Sequence, residues 1–291
     1  MVIFHVEGGL GKHIMSTAIL KVIAKQYPES KINVVCSYPE VFKHNPLVNN
    51  VTANGQHGPY YETYIKGKED SVKILFSDPY THSDFILEQD HLFNIWAKQW
   101  GFTYNGETPQ IYLTESEVEY FKPFYKTPKP ILAIQPNGGP SNLNYNYSWT
   151  RDIPEPTVLK IIEEFKNDYT IVHIKRENQK LYPDTLHALD NFRSIAILLQ
   201  LASKRLLIDS FTQHLCAAFD LPSTVCWVTT KPECFGYEMH DNILANKFTL
   251  TPSFPNNLYQ PFNLAQDVTS CPYKNLDEVF DVDKIINSIK K

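Results

Sequence analysis

The sequence predicts an α/β chain built as two doubly wound parallel sheets. Short runs of β-branched and other apolar residues alternate with helical segments from the first residues to about residue 228. Prolines cluster midway, at Pro123, Pro128 and Pro130. The length of 291 residues exceeds what one core usually supports, at about 150 residues per domain.

Val2–Val6 reads as a strand, Glu7–Gly11 as a glycine loop, and Lys12–Gln26 as a helix with Ile14, Ala18, Val22 and Ile23 at helical spacing, closed by Tyr27-Pro28. A second strand over Lys31–Cys36 completes a βαβ unit, so the opening is Rossmann-like. Further strands are expected at Val48–Ala53, Val72–Asp78 and Gln110–Thr114, with an aromatic helix over Phe85–Trp100 between the last two. The first domain then spans residues 1–122, and residues 123–130 form a linker. The second domain, 131–291, reads as strand Pro130–Pro136, helix Pro156–Asn167, strand Tyr169–Lys175 and helix Ser194–Lys204. Strand Arg205–Ser210, helix Thr212–Phe219 and strand Ser223–Val228 follow. Residues 276–291 read as an amphipathic terminal helix able to pack back across the first domain. Two such sheets would present their carboxyl-end loops on facing edges, with a ligand in the cleft between domains.

Hydrophobic residues at 43% and charged residues at 20% describe a folded globular chain. With 27 Lys and Arg against 32 Asp and Glu, the net charge is −5. No general attraction to nucleic acid or an anionic membrane follows, so no nucleic-acid partner and at most peripheral membrane contact is expected. Five cysteines, an odd number without a CxxC pair, point to a reducing cytoplasm. The amino terminus lacks the pattern of a signal peptide, and no window approaches about 18 uninterrupted apolar residues. His57, His82 and His91 lack metal-binding spacing, so no metal is expected there. The Gly8–Lys12 stretch lacks both the P-loop pattern and the dinucleotide fingerprint.

The most informative stretch is Leu206–Tyr237. Its strand ends at Asp209-Ser210 and the next helix opens at about Thr212, so the amides of Thr212, Gln213 and His214 should lack helical partners. Such amides favour a phosphate or diphosphate, to which Ser210, Thr212 and His214 can add donors. A plain helix cap and a satisfied, half-buried histidine are the alternative.

The spacing of Asp209-Ser210, His214-Leu215, Ala217-Ala218, Pro222, Trp227, Pro232 and Gly236-Tyr237 resembles the donor-binding segment of the family 9 glycosyltransferases, the lipopolysaccharide heptosyltransferase group. The amino-terminal Gly8 and Gly11 loop, Ser16-Thr17, Tyr27-Pro28 and the stretch His44–Val51 are similar to that family too. The resemblance implies a GT-B fold, two facing Rossmann-like domains, and sugar transfer from a nucleotide-diphosphate donor to a saccharide or glycolipid acceptor without a metal cofactor. It implies that Ser210, Thr212, Gln213 and His214 line the donor diphosphate, with Asp209 bracing the loop.

By the same resemblance the loop after the first strand of the second domain, with Gly138, Gly139 and Arg151, holds phosphate and sugar. Lys175 and Arg176 follow a strand where the family meets the nucleoside. An ordinary Asn-Gly-Gly turn and a solvated charged loop are the alternatives.

Two departures stand out. Phe211 replaces a glycine that usually follows the Asp-Thr pair, and Lys12 replaces the aspartate that usually follows Gly11. An ammonium suits a phosphate better than it suits a proton-accepting role. With Gly8, Gly9 and Gly11 as the acceptor-side loop, the catalytic candidates are therefore Lys12, His13 and Glu7. A helix-turn histidine and a solvated carboxylate are the bland readings of the last two. A non-catalytic nucleotide- or sugar-binding protein is the main alternative, favoured by Lys12. A nucleotide-sugar epimerase or hydrolase would need paired carboxylates.

Overall fold

The computed structural model describes residues 1–55, 57–138, 148–250 and 271–291. The chain forms two compact units, Met1–Thr114 and Glu115–Lys291.

In chain order the first unit contains β1 (Val2–Val6), α1 (Leu10–Gln26), β2 (Ile32–Cys36), β3 (Asn50–Ala53), α2 (His57–Tyr64), β4 (Lys73–Phe76), α3 (Ser83–Ile86) and α4 (Leu92–Lys98). The sheet is parallel, in the order β3-β2-β1-β4. The central strand β1 sets Val6 opposite Cys36 and His5 opposite Phe76. Parallel strands covered on both faces read as continuous apolar runs, as VIFHV and INVVC do.

Helix α1 is buried along an unbroken run from Lys12 to Leu20, wider than the single stripe its apolar spacing suggests. Two polar residues tolerate this because Ser16 and Thr17 donate their hydroxyls back to the His13 and Ile14 carbonyls, each at 2.7 Å.

Two expectations for this unit fail. Gln110–Thr114 is not a strand: it lies along α1, where the Gln110 amide donates to Thr17 Oγ1 at 2.9 Å and Ile111 is buried. The helix expected over Phe85–Trp100 is two short ones, α3 and α4. Glu88 takes a left-handed conformation (φ 53°) between them, and His91 caps α4 by accepting from the Phe93 amide. Phe85, Phe93 and Trp96 are buried, with Trp96 against Phe4, so the aromatic stripe belongs to the core.

The second unit runs α5 (Glu115–Phe121), β5 (Ile131–Ile134), α6 (Glu155–Phe165), β6 (Thr170–His173), β7 (Thr185–His187) and α7 (Phe192–Leu201). It continues with β8 (Lys204–Ile208), α8 (Phe211–Ala217), β9 (Thr224–Trp227), α9 (Pro232–Phe235), β10 (Asp241–Leu244) and α10 (Val282–Lys290). Its six strands are parallel, in the order β10-β9-β8-β5-β6-β7. The chain winds outward from β5 through β6 to β7, then crosses to β8 and winds the other way. The strand order therefore reverses between β5 and β8, and the loops leaving those two strands flank a crevice at their carboxyl ends.

The unit boundary precedes the prolines. Helix α5 belongs to the second unit, because Arg193 grips Glu117 through Nε (3.0 Å) and Nη2 (2.8 Å). The Tyr125 hydroxyl meets Ser194 Oγ at 2.6 Å. The first unit thus ends at Thr114 instead of residue 122, and residues 123–130 run on from the second unit's first helix. The terminal helix α10 also stays within its own unit. Ile285 and Ile289 join Ile161, Phe165, Leu206 and Ile208 in one core, and Ser288 Oγ meets Thr224 Oγ1 at 2.7 Å. Burying each isoleucine contributes about 1.5–3 kcal/mol.

All five cysteines are free thiols, and burial pushes Cys216 up to about 11. Among the described residues no helix is long and apolar enough to cross a membrane.

Candidate functional site

The loops leaving β5 and β8, with the start of α8, carry Gly138, Arg151, Asp209, Ser210 and Thr212 among the expected residues of the second unit. Gln135, the first residue past β5, is buried. Its Nε2 donates to Ser210 Oγ at 3.1 Å and its Oε1 accepts from the Thr212 hydroxyl. Ser210 occupies the N-cap position of α8 with extended backbone (φ −155°, ψ 179°), yet its side chain makes no cap hydrogen bond. The cap reading of Ser210 is thus replaced by a strand-to-strand clasp. Because Ser210 Oγ accepts from Gln135, its own proton is left to be directed elsewhere. Of the three amides expected to lack partners, that of Gln213 donates to the Ser210 carbonyl at 3.3 Å. Phe211 opens α8 without a left-handed backbone, so this turn has no need of a glycine. Asp209 is nearly buried at the end of β8. The described residues give its carboxylate no hydrogen-bond donor, so the bracing expected of Asp209 falls to Gln135.

A second network organises the loop after β5. The buried Asp152 accepts from the Gly138 amide (2.8 Å), the Ser148 amide (2.8 Å) and Asn137 Nδ2 (3.2 Å). Burial pushes its carboxyl above the ordinary value, and those donors oppose the shift. A Cβ at Gly138 would stand 2.8 Å from Arg151 Cδ and 3.2 Å from Ile208 Cδ1. The arginine stem therefore lies across the glycine. Among the described residues the Arg151 guanidinium has no hydrogen-bonded acceptor. Gln179 Nε2 donates to the Gly138 carbonyl at 3.2 Å while its Oε1 accepts from the Arg176 amide at 3.0 Å. Tyr182 donates to Asn137 Oδ1 at 3.3 Å. Gly138, Arg151 and Arg176 thus share one connected loop system, whereas Lys175 folds back to donate to the Arg176 carbonyl at 2.7 Å. Gly139 lies outside the described residues.

Gln213 and His214 turn inward. Gln213 is fully buried, with Nε2 donating to the Phe235 carbonyl at 3.2 Å and its own carbonyl accepting from His240 Nε2 at 3.1 Å. His214 Nδ1 lies 3.0 Å from the Tyr237 hydroxyl. These two side chains tie α8 to residues 235–240; the diphosphate-lining role expected of the Gln213 side chain does not fit that geometry.

In the first unit, the loop between β1 and α1 turns at Gly8 (φ 103°), where a Cβ would meet Lys12 Cδ at 3.1 Å. Gly9 is the N-cap residue of α1, and Gly11 lies in its first turn. Lys12 is only 5% exposed. Its ammonium donates to Asp78 Oδ1 at 2.9 Å and sits 5.1 Å and 5.6 Å from the ring centres of Tyr80 and Trp96. It is an internal counter-ion, not the phosphate partner that its chemistry suggested.

His13 is fully buried, with Nδ1 2.9 Å from the Gly9 carbonyl and Nε2 accepting from the Ser37 amide at 3.1 Å. These bonds require the tautomer protonated at Nδ1, with its lone pair already engaged. Burial also lowers its basicity, so His13 is no proton acceptor for a substrate. Glu7 is exposed, 3.4 Å from His5 Nε2.

Sequence reasoning missed Gln135, Asp152 and Asp78. Among the described residues no three His, Cys, Asp or Glu side chains converge as a metal would require.

No protein-family model matches the chain, and no curated protein sequence does. Solved structures do. A family 9 glycosyltransferase from Veillonella parvula is 14% identical, with 99% of this chain and 95% of that one covered and a TM-score of 0.66. The ADP-heptose lipopolysaccharide heptosyltransferase II of E. coli is 12% identical, with 100% and 99% covered and a TM-score of 0.58. The dodecameric, iron-containing heptosyltransferase TibC of enterotoxigenic E. coli, solved with ADP-D-β-D-heptose, is 13% identical, with 99% and 75% covered and a TM-score of 0.64. At these identities the likeness is one of fold: the chain shares the α/β architecture of the GT-B glycosyltransferases, as the family resemblance implied.

Proposed function

We propose that this chain is a cytoplasmic glycosyltransferase that moves a sugar from a nucleotide-diphosphate donor to a saccharide or glycolipid acceptor. The observation that supports it best is the full-length fold likeness to family 9 glycosyltransferases. Fold alone leaves chemistry open, so the reading also draws on the switch point between β5 and β8. There the Ser210 hydroxyl, the start of α8 and the Arg151 guanidinium would meet the diphosphate, with Arg176 and Gln179 on the nucleoside side. Donors aimed at the departing diphosphate stabilise the charge that develops as its bond to the anomeric carbon breaks. The reading assigns no role to a metal. Because two of the similar proteins are heptosyltransferases, a heptose on adenosine diphosphate is the first donor to try, with lipopolysaccharide or another surface glycan as the acceptor class.

The test is a panel of nucleotide sugars, following both binding and release of nucleoside diphosphate with and without saccharide acceptors. Acceptor-dependent release supports the proposal. Binding without release marks a non-catalytic protein, and release that ignores acceptors marks a hydrolase or epimerase.

A further inference from the structure

Transfer to a hydroxyl group needs a proton acceptor, and the titratable groups that follow the paired central strands β1 and β4 of the first unit include His13, Glu7 and Asp78. His13 is excluded by its engaged ring nitrogens. Glu7 leaves β1 with an exposed side chain that lies 3.4 Å from His5 Nε2. The third is Asp78, two residues beyond β4, the strand that pairs directly with β1.

Asp78 is anchored at several atoms. Its Oδ1 accepts from Lys12 Nζ at 2.9 Å and from the Tyr80 amide at 3.1 Å. Its carbonyl accepts from the Thr81 amide (3.2 Å), the Thr81 hydroxyl (2.8 Å) and Gln99 Nε2 (3.2 Å). The other carboxylate oxygen, Oδ2, has no donor among the described residues, and the side chain is 48% exposed. A carboxylate fixed through one oxygen and open at the other is pre-organised to take a proton.

We propose that Asp78 is the general base of the transfer reaction, with Lys12 as the positioning residue that orients its carboxylate; this rests on the glycosyltransferase reading above. In the step, the acceptor hydroxyl oxygen forms a bond to the anomeric carbon and its proton passes to Asp78 Oδ2. The bond from that carbon to the donor phosphate oxygen breaks, and its electron pair leaves with the nucleoside diphosphate. Asp78 then returns the proton to water.

The experiment measures donor affinity and nucleoside diphosphate release for the full chain, using ADP-D-β-D-heptose and UDP- and GDP-hexoses with free saccharides and water as acceptors. Asp78→Asn is expected to lower release by about 10²–10⁴-fold while donor affinity stays within about twofold. Asp78→Glu, which keeps the carboxylate and can keep the Lys12 pair, recovers part of the loss. Release by Asp78→Asn within about fivefold of the parent overturns the proposal while leaving the transferase reading intact, as does loss in Glu7→Gln without loss in Asp78→Asn. A parent chain that neither binds nor turns over any donor overturns both. If thermal melting shows Asp78→Asn unfolded, Asp78→Glu alone decides: lowered release at unchanged donor affinity supports the base, and unchanged release overturns it.

Discussion

Arg151 lies over Gly138 so closely that a single methyl group on the glycine would stand 2.8 Å from the arginine Cδ. The glycine is thus a seat for the arginine, which brings a guanidinium to the β5–β8 switch point. Gly138→Ala is expected to weaken nucleoside diphosphate binding about as much as Arg151→Ala. A charge-assisted hydrogen bond contributes about 1.5–3 kcal/mol, or roughly 10- to 150-fold in affinity. Calorimetric titration of both variants and the double variant checks this, and the double should lose little more than either single.

Asp152 organises the same loop from below, with two backbone amides and Asn137 converging on its buried carboxylate. Asp152→Ala would leave those donors without their acceptor and is expected to cost about 3 kcal/mol. At roughly 2–4 °C per kcal/mol for a unit of this size, the melting temperature should fall by about 6–12 °C. Differential scanning calorimetry reads it directly.

Restoring an aspartate after Gly11 should not restore anything. Lys12→Asp would remove the cation between Tyr80 and Trp96 and set a second carboxylate near Asp78. Because Asp78 is half exposed, solvent moderates the loss to about 2 kcal/mol, below the cost of breaking a fully buried pair. Denaturant unfolding measures it, and turnover should fall too.

His173 and His240 are buried, and burial lowers them to about 3 and about 4. An unfolded chain, with ordinary histidines near 6.5, therefore binds more protons between those values and pH 6.5. Stability is full above about pH 6.5 and is lost as pH falls toward 4, by about 1.4 kcal/mol per pH unit for each histidine. Neither ring nitrogen of His173 has a hydrogen-bond partner among the described residues, and the ring stacks on Tyr182 at 5.1 Å. His173→Phe should keep the stack, match or exceed the parent's stability at pH 7, and flatten the acid slope. Urea midpoints from pH 7.5 to 5 give the answer.

The two bonds between Arg193 and Glu117 predict where the chain can be cut. A fragment beginning at Glu115 keeps them and should fold; one beginning at Pro123 leaves Arg193 without its carboxylate and should be less stable or insoluble. Expression and thermal melting of the two fragments distinguish them.

Much of this architecture is legible in the sequence because strands buried on both faces are written as plain apolar words: VIFHV, ILAI, TVCW. β7 and β10 escape the same reading, since TLH and DNIL are short and mixed. Ile111 and Leu113 alternate with polar residues as a strand would, but local alternation cannot tell a sheet edge from the flank of α1. Among the switch-point residues, Ser210 follows from a strand end, while Gly138 and Arg151 follow from the family resemblance of the loop after β5. Gln135 carries no such signature, although it joins the two loops. Lys12 and Asp78 lie 66 positions apart, and only the pairing of β1 with β4 brings them together.

His13 carries a quieter consequence. One imidazole spans from the carbonyl at the start of α1 to the amide just past β2, so the glycine turn is locked by the placement of a single proton. Adding a second proton would set an N–H against the Ser37 N–H, two donors with nothing to share. The rigidity of that turn is therefore chemical as well as steric, conditional on one tautomer of one ring.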